Sequence, residues 1–143
     1  ALTVAGVQAP GRIDVFVEID AGQNRCGVEA GDAAAALAVQ VLARPVLRFA
    51  GLQAYHGRAQ HIRDAAARAA AIDLAARAVQ TTTETLNRLG IAVPLVTGAG
   101  SGSFALEAVS GLWGEIQPGS YLFMDADYAA NEAVPGAPVF EHA

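Results

Sequence analysis

The residues with the greatest capacity for chemistry lie in short stretches set well apart along the chain. Gln53-Ala54-Tyr55-His56-Gly57 is followed closely by Gln60 and His61. This phenol, two imidazoles and carboxamides can stack on a planar ligand, hydrogen-bond to it, or exchange a proton with it near neutral pH. Closed metal sites take four ligands and catalytic ones three, so two histidines without an obvious third ligand make a weak case for a metal. For His61 the bland alternative is a first-turn helix residue with no chemistry. Thr97-Gly98-Ala99-Gly100-Ser101-Gly102-Ser103 alternates glycine with small and hydroxylic residues. Glycine lets a backbone approach a phosphate closely with its N–H groups, and Ser and Thr add donors. The segment lacks the Gly-Lys-Ser/Thr ending of a nucleotide loop. It also lacks the glycine that dinucleotide spacing would place at Ser103 or Ala105. A phosphate cup is the expectation, against a plain flexible loop, and Pro118-Gly119-Ser120-Tyr121 offers a second cup. Arg25, within Gly22-Gln23-Asn24-Arg25-Cys26-Gly27, presents a fixed fork of donors to an anionic oxygen unless it is merely a surface arginine in a turn.

The elements needed to bring these stretches together can be read from patterning. Ile13 to Asp20 (IDVFVEID) is a β-branched and aromatic run that fits a buried strand. Asp32 is placed to cap a helix from Ala33 to about Ala43, with Leu37, Val41 and Leu42 at helical spacing and Pro45 ending it. Val46 to Gln53 reads as a second strand. A long helix is expected from about His61 to Leu89, where Ile62, Ala66, Ala69, Ile72, Ala76, Val79, Leu86 and Leu89 form one drifting apolar face and Gly90 closes it. Ile91 to Val96 is a third strand in spite of Pro94, and Tyr121 to Met124 a short fourth. The alternation predicts an α/β chain with a parallel sheet, whose ligands collect at the carboxyl ends of the strands. The loops after Asp20, Gln53 and Val96 should therefore lie together. An open doubly wound sheet and part of a (β/α)8 barrel fit the pattern equally; a full barrel needs about 250 residues.

Composition narrows the class. The chain has 143 residues, 53% of them hydrophobic and 16% charged, enough for a buried core. A net charge of −5 with nine scattered arginines argues against nucleic acid, which demands clustered positive charge. The uncharged stretch between Arg88 and Glu107 is broken by Gly, Ser, Thr and Pro and is not a membrane span. Cys26 stands alone, so no internal disulfide is expected, and cytoplasmic residence is the default. All nine basic residues are arginines, so any lysine Schiff base must be supplied from elsewhere. With its start on Ala1, the chain is expected to be a fragment.

Taken together, EIDAGQNRCGV, FAGLQAYHGRAQH, TGAGSGS and QPGSYLFMDADY resemble the D-threonine aldolase and 3-hydroxy-D-aspartate aldolase group, within the alanine-racemase-like fold type of pyridoxal-phosphate (PLP) enzymes. The resemblance implies part of a (β/α)8 TIM-type barrel over residues 1–124. Residues 125–143 would then cross toward a C-terminal β domain outside the chain. It implies that Arg25 lies beside the pyridoxal ring near its phenolic oxygen and that Tyr55 contacts the cofactor. Gly98, Gly100, Ser101 and Gly102, with Gly119, Ser120 and Tyr121, would hold the phosphate. His61 would deprotonate the substrate β-hydroxyl, with Tyr55 as the second catalytic residue and Gln60 beside His61 at the substrate. The Schiff-base lysine and the His and Asp that bind a divalent metal, manganese or magnesium, would come from outside the chain.

The implied activity is retro-aldol cleavage of a D-3-hydroxy amino acid to glycine and an aldehyde, with the fragment inactive alone. A homodimer is implied, and no membrane or nucleic-acid partner. Two further readings keep the same cradle: a D-serine or 3-hydroxyaspartate dehydratase, which expels the β-hydroxyl, and a non-catalytic PLP carrier. A structural half-barrel kept only for pairing would need no cofactor at all.

Overall fold

The computed structural model describes residues 11–123 and 126–136. Four strands lie in one parallel sheet in the order of the chain: β1 (Ile13–Glu18), β2 (Leu47–Ala54), β3 (Val96–Gly98) and β4 (Glu115–Ile116). Helix α1 (Asp32–Leu42) connects β1 to β2, α2 (Ala65–Arg88) connects β2 to β3, and α3 (Phe104–Ser110) connects β3 to β4. A doubly wound sheet reverses its strand order at a switch point, whereas a barrel adds each strand beside the last. The uninterrupted order β1-β2-β3-β4 is that of a barrel wall. Among the described residues, β1 and β4 each pair on one side only.

Small residues let the layers approach. Ala34, Ala35, Ala38 and Val41 form the buried face of α1, while Leu42 is half exposed. On α2, Ile72, Ala75, Val79 and Leu86 enter the same core as Val17, Phe49, Leu52 and Val96. A bulge between Val15 and Phe16 shifts the β1–β2 register and leaves Gly51 at φ 143°. A side chain there would run into the Leu95 carbonyl, which instead accepts from Leu52 N at 2.9 Å.

That contact explains the displaced third strand. The Ile91–Val96 run enters the ladder only at Val96, because Pro94 has no N–H to give and the chain before it packs without strand pairing. The long helix also begins later than its apolar period suggests. Gly57–His61 forms a separate 3-10 turn, and Asp64 caps α2 by accepting from Ala67 N at 2.6 Å. Asp32 lies inside the first turn of α1 and is not its cap; Gly31 takes that place at φ 84°, with its N–H donated to Thr82 Oγ1. The fourth strand falls at Glu115–Ile116, where Gln117 N reaches the Gly98 carbonyl at 2.8 Å. Ser120–Leu122 is a 3-10 turn, and Met124 lies outside the described residues.

Near the boundary expected at residues 124 and 125, the chain folds back onto the site. Helix α4 (Ala126–Ala129) packs on the 3-10 turn, Asn131 Nδ2 donates to Gln60 O at 2.9 Å, and Glu132 N donates to Arg63 O at 2.9 Å. The buried Arg68 donates to the Ile62 and Glu132 carbonyls and fastens both segments.

Candidate functional site

The loops that leave β1, β2 and β3 meet at the carboxyl edge of the sheet. Asp20 organises the first: its Oδ1 accepts from Gly22 N at 2.9 Å and Asn24 N at 3.0 Å. These N–H donors hold its carboxyl below the usual carboxylate range. Asn24 thereby takes φ 54°, one residue before the exposed Arg25. Gln23 Oε1 then accepts from Gly57 N at 2.9 Å, docking this loop on the one after β2. Gly22 lies against the His56 ring, so that a side chain there would come within 2.9 Å of Nε2. His56 is buried, with Nδ1 unpartnered among the described residues, and desolvation pushes its imidazole toward the neutral form in spite of nearby Asp20. It is a spacer between loops.

Beneath the glycine-rich loop is a buried polar floor. Gln60, 1% exposed, accepts from Gly102 N at 2.8 Å through Oε1 and donates through Nε2 to Ser103 Oγ at 2.7 Å. Ser103 Oγ donates onward to Glu107 Oε1 at 3.0 Å. Burial raises the Glu107 carboxyl to about 7, with the Ser103 hydrogen bond opposing. A Cβ at Gly98 or Gly102 would strike the backbone carbonyls of Ala54 or Gln60, and one at Gly100 would crowd Gln60 Oε1 and come within 2.9 Å of Tyr55 Oη. Ala99 turns the chain out of β3 at φ 64°, a costly conformation for a residue with a side chain.

The second cup joins the first where Tyr121 N donates to Ser101 Oγ at 3.0 Å. Among the described residues, no acceptor takes the N–H of Gly100 or Ser101. Two unspent amides and a hydroxyl on a loop with no room for side chains at Gly98, Gly100 and Gly102 form a donor set suited to a phosphate ester. The cradle fits such a group. The N–H groups of Gly102 and Tyr121 are bonded within the protein, so these two residues shape the cup through the backbone. Gln60 departs further from expectation: with its amide spent on the loop and buried, it supports the cup and does not face a substrate.

Tyr55 borders the cup, its Oη beside Gly100. Partial burial and the neighbouring Tyr128 and Glu107 raise its phenol above the usual value, while Arg25 pulls the other way, which places the guanidinium within electrostatic reach. His61 ends the 3-10 turn, half exposed, with Nδ1 2.6 Å from Asp127 Oδ2 and its ring centroid 5.7 Å from that of Tyr128. The sequence places Asp127 within QPGSYLFMDADY without a role, names Ser103 only as a hydroxyl of the glycine-rich segment, and gives no sign of Glu107. A hydroxyl at the start of a short helix with a carboxyl four residues on was the available signal for Glu107.

Across β2, β3 and β4 a polar ladder also went unread. Gln117 Nε2 donates to Gln53 Oε1 at 2.9 Å and Thr97 Oγ1 at 2.8 Å, and Thr97 Oγ1 donates to Glu115. Among the described residues, no three of His, Cys, Asp and Glu converge on a metal position, and no helix is long and apolar enough to cross a membrane.

Barrel order and a phosphate-type cup at the strand ends define a class, and the match to the family described as alanine racemase, N-terminal domain, over residues 1–127 agrees with it: the chain belongs to that family. It supplies one part of that family's TIM-type α/β barrel. Its relatives are more particular. It is 49% identical over 128 residues to D-threonine aldolase of Arthrobacter sp, covering 90% of this chain and 34% of the relative. Against 3-hydroxy-D-aspartate aldolase of Paracoccus denitrificans strain Pd 1222 the identity is 41%, over 89% of this chain and 33% of the relative. The crystal structure of D-threonine aldolase from Filomicrobium marinum superposes with a TM-score of 0.87 at 52% identity, covering 92% of this chain and 35% of that one. Alanine racemase from Corynebacterium glutamicum, 17% identical with a TM-score of 0.61 over 95% of this chain and 35% of that one, shares the fold. The chain therefore spans about a third of the length of its aldolase relatives.

Proposed function

We propose that this chain is the central, cofactor-cradling part of a PLP- and divalent-metal-dependent aldolase that cleaves D-3-hydroxy amino acids, D-threonine or 3-hydroxy-D-aspartate, to glycine and an aldehyde. The observation that carries this reading is the joined cup, whose Gly100 and Ser101 amides are unspent among the described residues, beside Tyr55 and within reach of Arg25. The similarity to two kinds of aldolase supports it. Gly98, Gly100, Ser101, Gly119 and Ser120 would enclose the phosphate, with Gly102 and Tyr121 fixing the shape of the cup. Arg25 would neutralise the ring's phenolic oxygen and Tyr55 would bound the ring. When bound, PLP supplies an electron sink for the pair released as the Cα–Cβ bond breaks.

His61 acts as the general base. Its Nε2 would take the β-hydroxyl proton as the Cα–Cβ bond breaks and the C–O bond becomes the aldehyde carbonyl. The metal, manganese or magnesium, and the Schiff-base lysine are supplied by residues outside this chain. A homodimer in the cytoplasm completes the proposal.

Incubating the full-length protein with D-threonine, PLP and manganese tests it. Glycine plus acetaldehyde is expected. 2-Oxobutyrate plus ammonia would replace the aldolase by a dehydratase, and no turnover on any D-3-hydroxy amino acid would leave a PLP carrier.

A further inference from the structure

Outside the cup, one cluster of charged side chains has a geometry that an ordinary surface ion pair does not need. The two oxygens of Asp127 are divided between two partners: Oδ1 accepts from Arg63 Nη2, and Oδ2 lies 2.6 Å from His61 Nδ1. Arg63 does more than balance charge. Its Nη1 also donates to the Asp127 carbonyl at 2.5 Å and to Asn131 Oδ1 at 2.7 Å, which fixes the carboxylate plane and the segment that carries it. The Tyr128 ring, tilted 46° to the imidazole, packs beside it. Hydrogen bonds from Arg63 and His61 hold the Asp127 carboxyl below the usual range, so it is ionised and can only accept. Nδ1 of His61 must then carry a proton, and the ring nitrogen left with a free lone pair is Nε2.

We infer that Asp127 is a positioning residue for His61: it locks the imidazole in the Nδ1–H tautomer and aims Nε2, while Arg63 braces the carboxylate. This rests on the proposal that His61 is the base. It assigns a mechanistic task to the short α4 segment, which brings the carboxylate back over the 3-10 turn from 66 positions along the chain. A base that must take a proton on one nitrogen loses efficiency when its ring rotates or its tautomers mix.

The test uses the full-length protein in two ways. Ring 15N spectra of histidine-labelled, cofactor-free protein, with His61 assigned by its loss in His61→Ala, are recorded at a pH where the imidazole is neutral. The wild type should show the Nδ1–H tautomer, Asp127→Ala a shift toward Nε2–H, and Asp127→Glu a partial return. In cleavage of D-threonine, Asp127→Ala should lower kcat by ~10-fold or more, part of the ~10²–10⁴ a general base contributes, with little change in KM. Added to His61→Ala, it should change nothing further. An Nε2–H wild-type tautomer would overturn the inference, as would an equal loss from Asp127→Ala with and without His61, which would make Asp127 a tie for Arg63 alone. Failure of the underlying reading looks different: His61→Ala would retain full cleavage, while the spectra would still report on the Asp127 contact. If Asp127→Ala does not fold, the wild-type and Asp127→Glu spectra decide.

Discussion

The floor of the glycine-rich loop and the cluster around His61 solve opposite problems, and Gln60 belongs to both. Its side chain runs into the floor toward Gly102 and Ser103, while its carbonyl accepts from Asn131 in the segment that carries Asp127. The floor is buried and built from uncharged donors plus a carboxyl that keeps its proton up to about 7. The His61 cluster is about half exposed and fully charged on its carboxylate and guanidinium. A backbone cup has to be rigid, and rigidity comes from buried hydrogen bonds that are costly to leave unmade. A group proposed to move protons, as His61 is, needs access, and water makes the charges beside it tolerable.

Four substitutions in the full-length protein would break or sharpen this contrast. His61→Ala should reduce cleavage of D-threonine by ~10²-fold or more while the bound-PLP absorbance persists, separating proton transfer from cofactor holding. Glu107→Gln addresses the floor through pH. Because folding raises this carboxyl from 4.5 to about 7, the folded chain keeps a proton that the unfolded chain has lost. Stability from this group is therefore fully present below about 4.5, declines as the pH rises toward about 7 and is level above it. The decline amounts to about 3 kcal/mol at 1.36 kcal/mol per pKa unit. Denaturant midpoints across that range should slope in the wild type and lose most of the slope in Glu107→Gln; equal slopes would remove Glu107 as their source.

Gln60→Ala should cost about 1–3 kcal/mol, because it leaves the half-buried Gly102 N–H without its acceptor and the buried Ser103 oxygen without its donor. It should also weaken PLP binding, measured by equilibrium dialysis. If PLP affinity is unchanged, the floor does not support the cup. Arg48→Ala is the control. Its ion pair with Asp14 at 2.5 Å is solvent-exposed at the start of the sheet, so the thermal midpoint and PLP affinity should stay at wild-type values.

The two regions also differed in legibility. The loop TGAGSGS advertised itself, because alternating glycines and hydroxyls have few other uses at a strand end. What held it up did not. Gln60 looked like a ligand contact because a glutamine beside two histidines gives no sign of which way it points; its direction was decided by Gly102 and Ser103, more than 40 positions away. The apolar period of α2 was visible in Ile72, Val79 and Leu86, yet its start was misplaced, since Ile62 continues the period while the backbone between His61 and Ala65 is not helical. Asp64, an ordinary capping residue, was the overlooked marker.

From sequence came the parallel α/β character, the strand-end loops and the residue types at the cup, because each follows from local patterning or from a matching motif. The barrel was implied by the resemblance and not by patterning, which left a doubly wound sheet equally open; tertiary structure alone decided the inward turn of Gln60, the burial that raises the Glu107 carboxyl to about 7 and the pairing of Asp127 with His61. Each of these depends on residues far apart in the chain arriving within hydrogen-bonding distance, and a one-dimensional pattern does not record such distances.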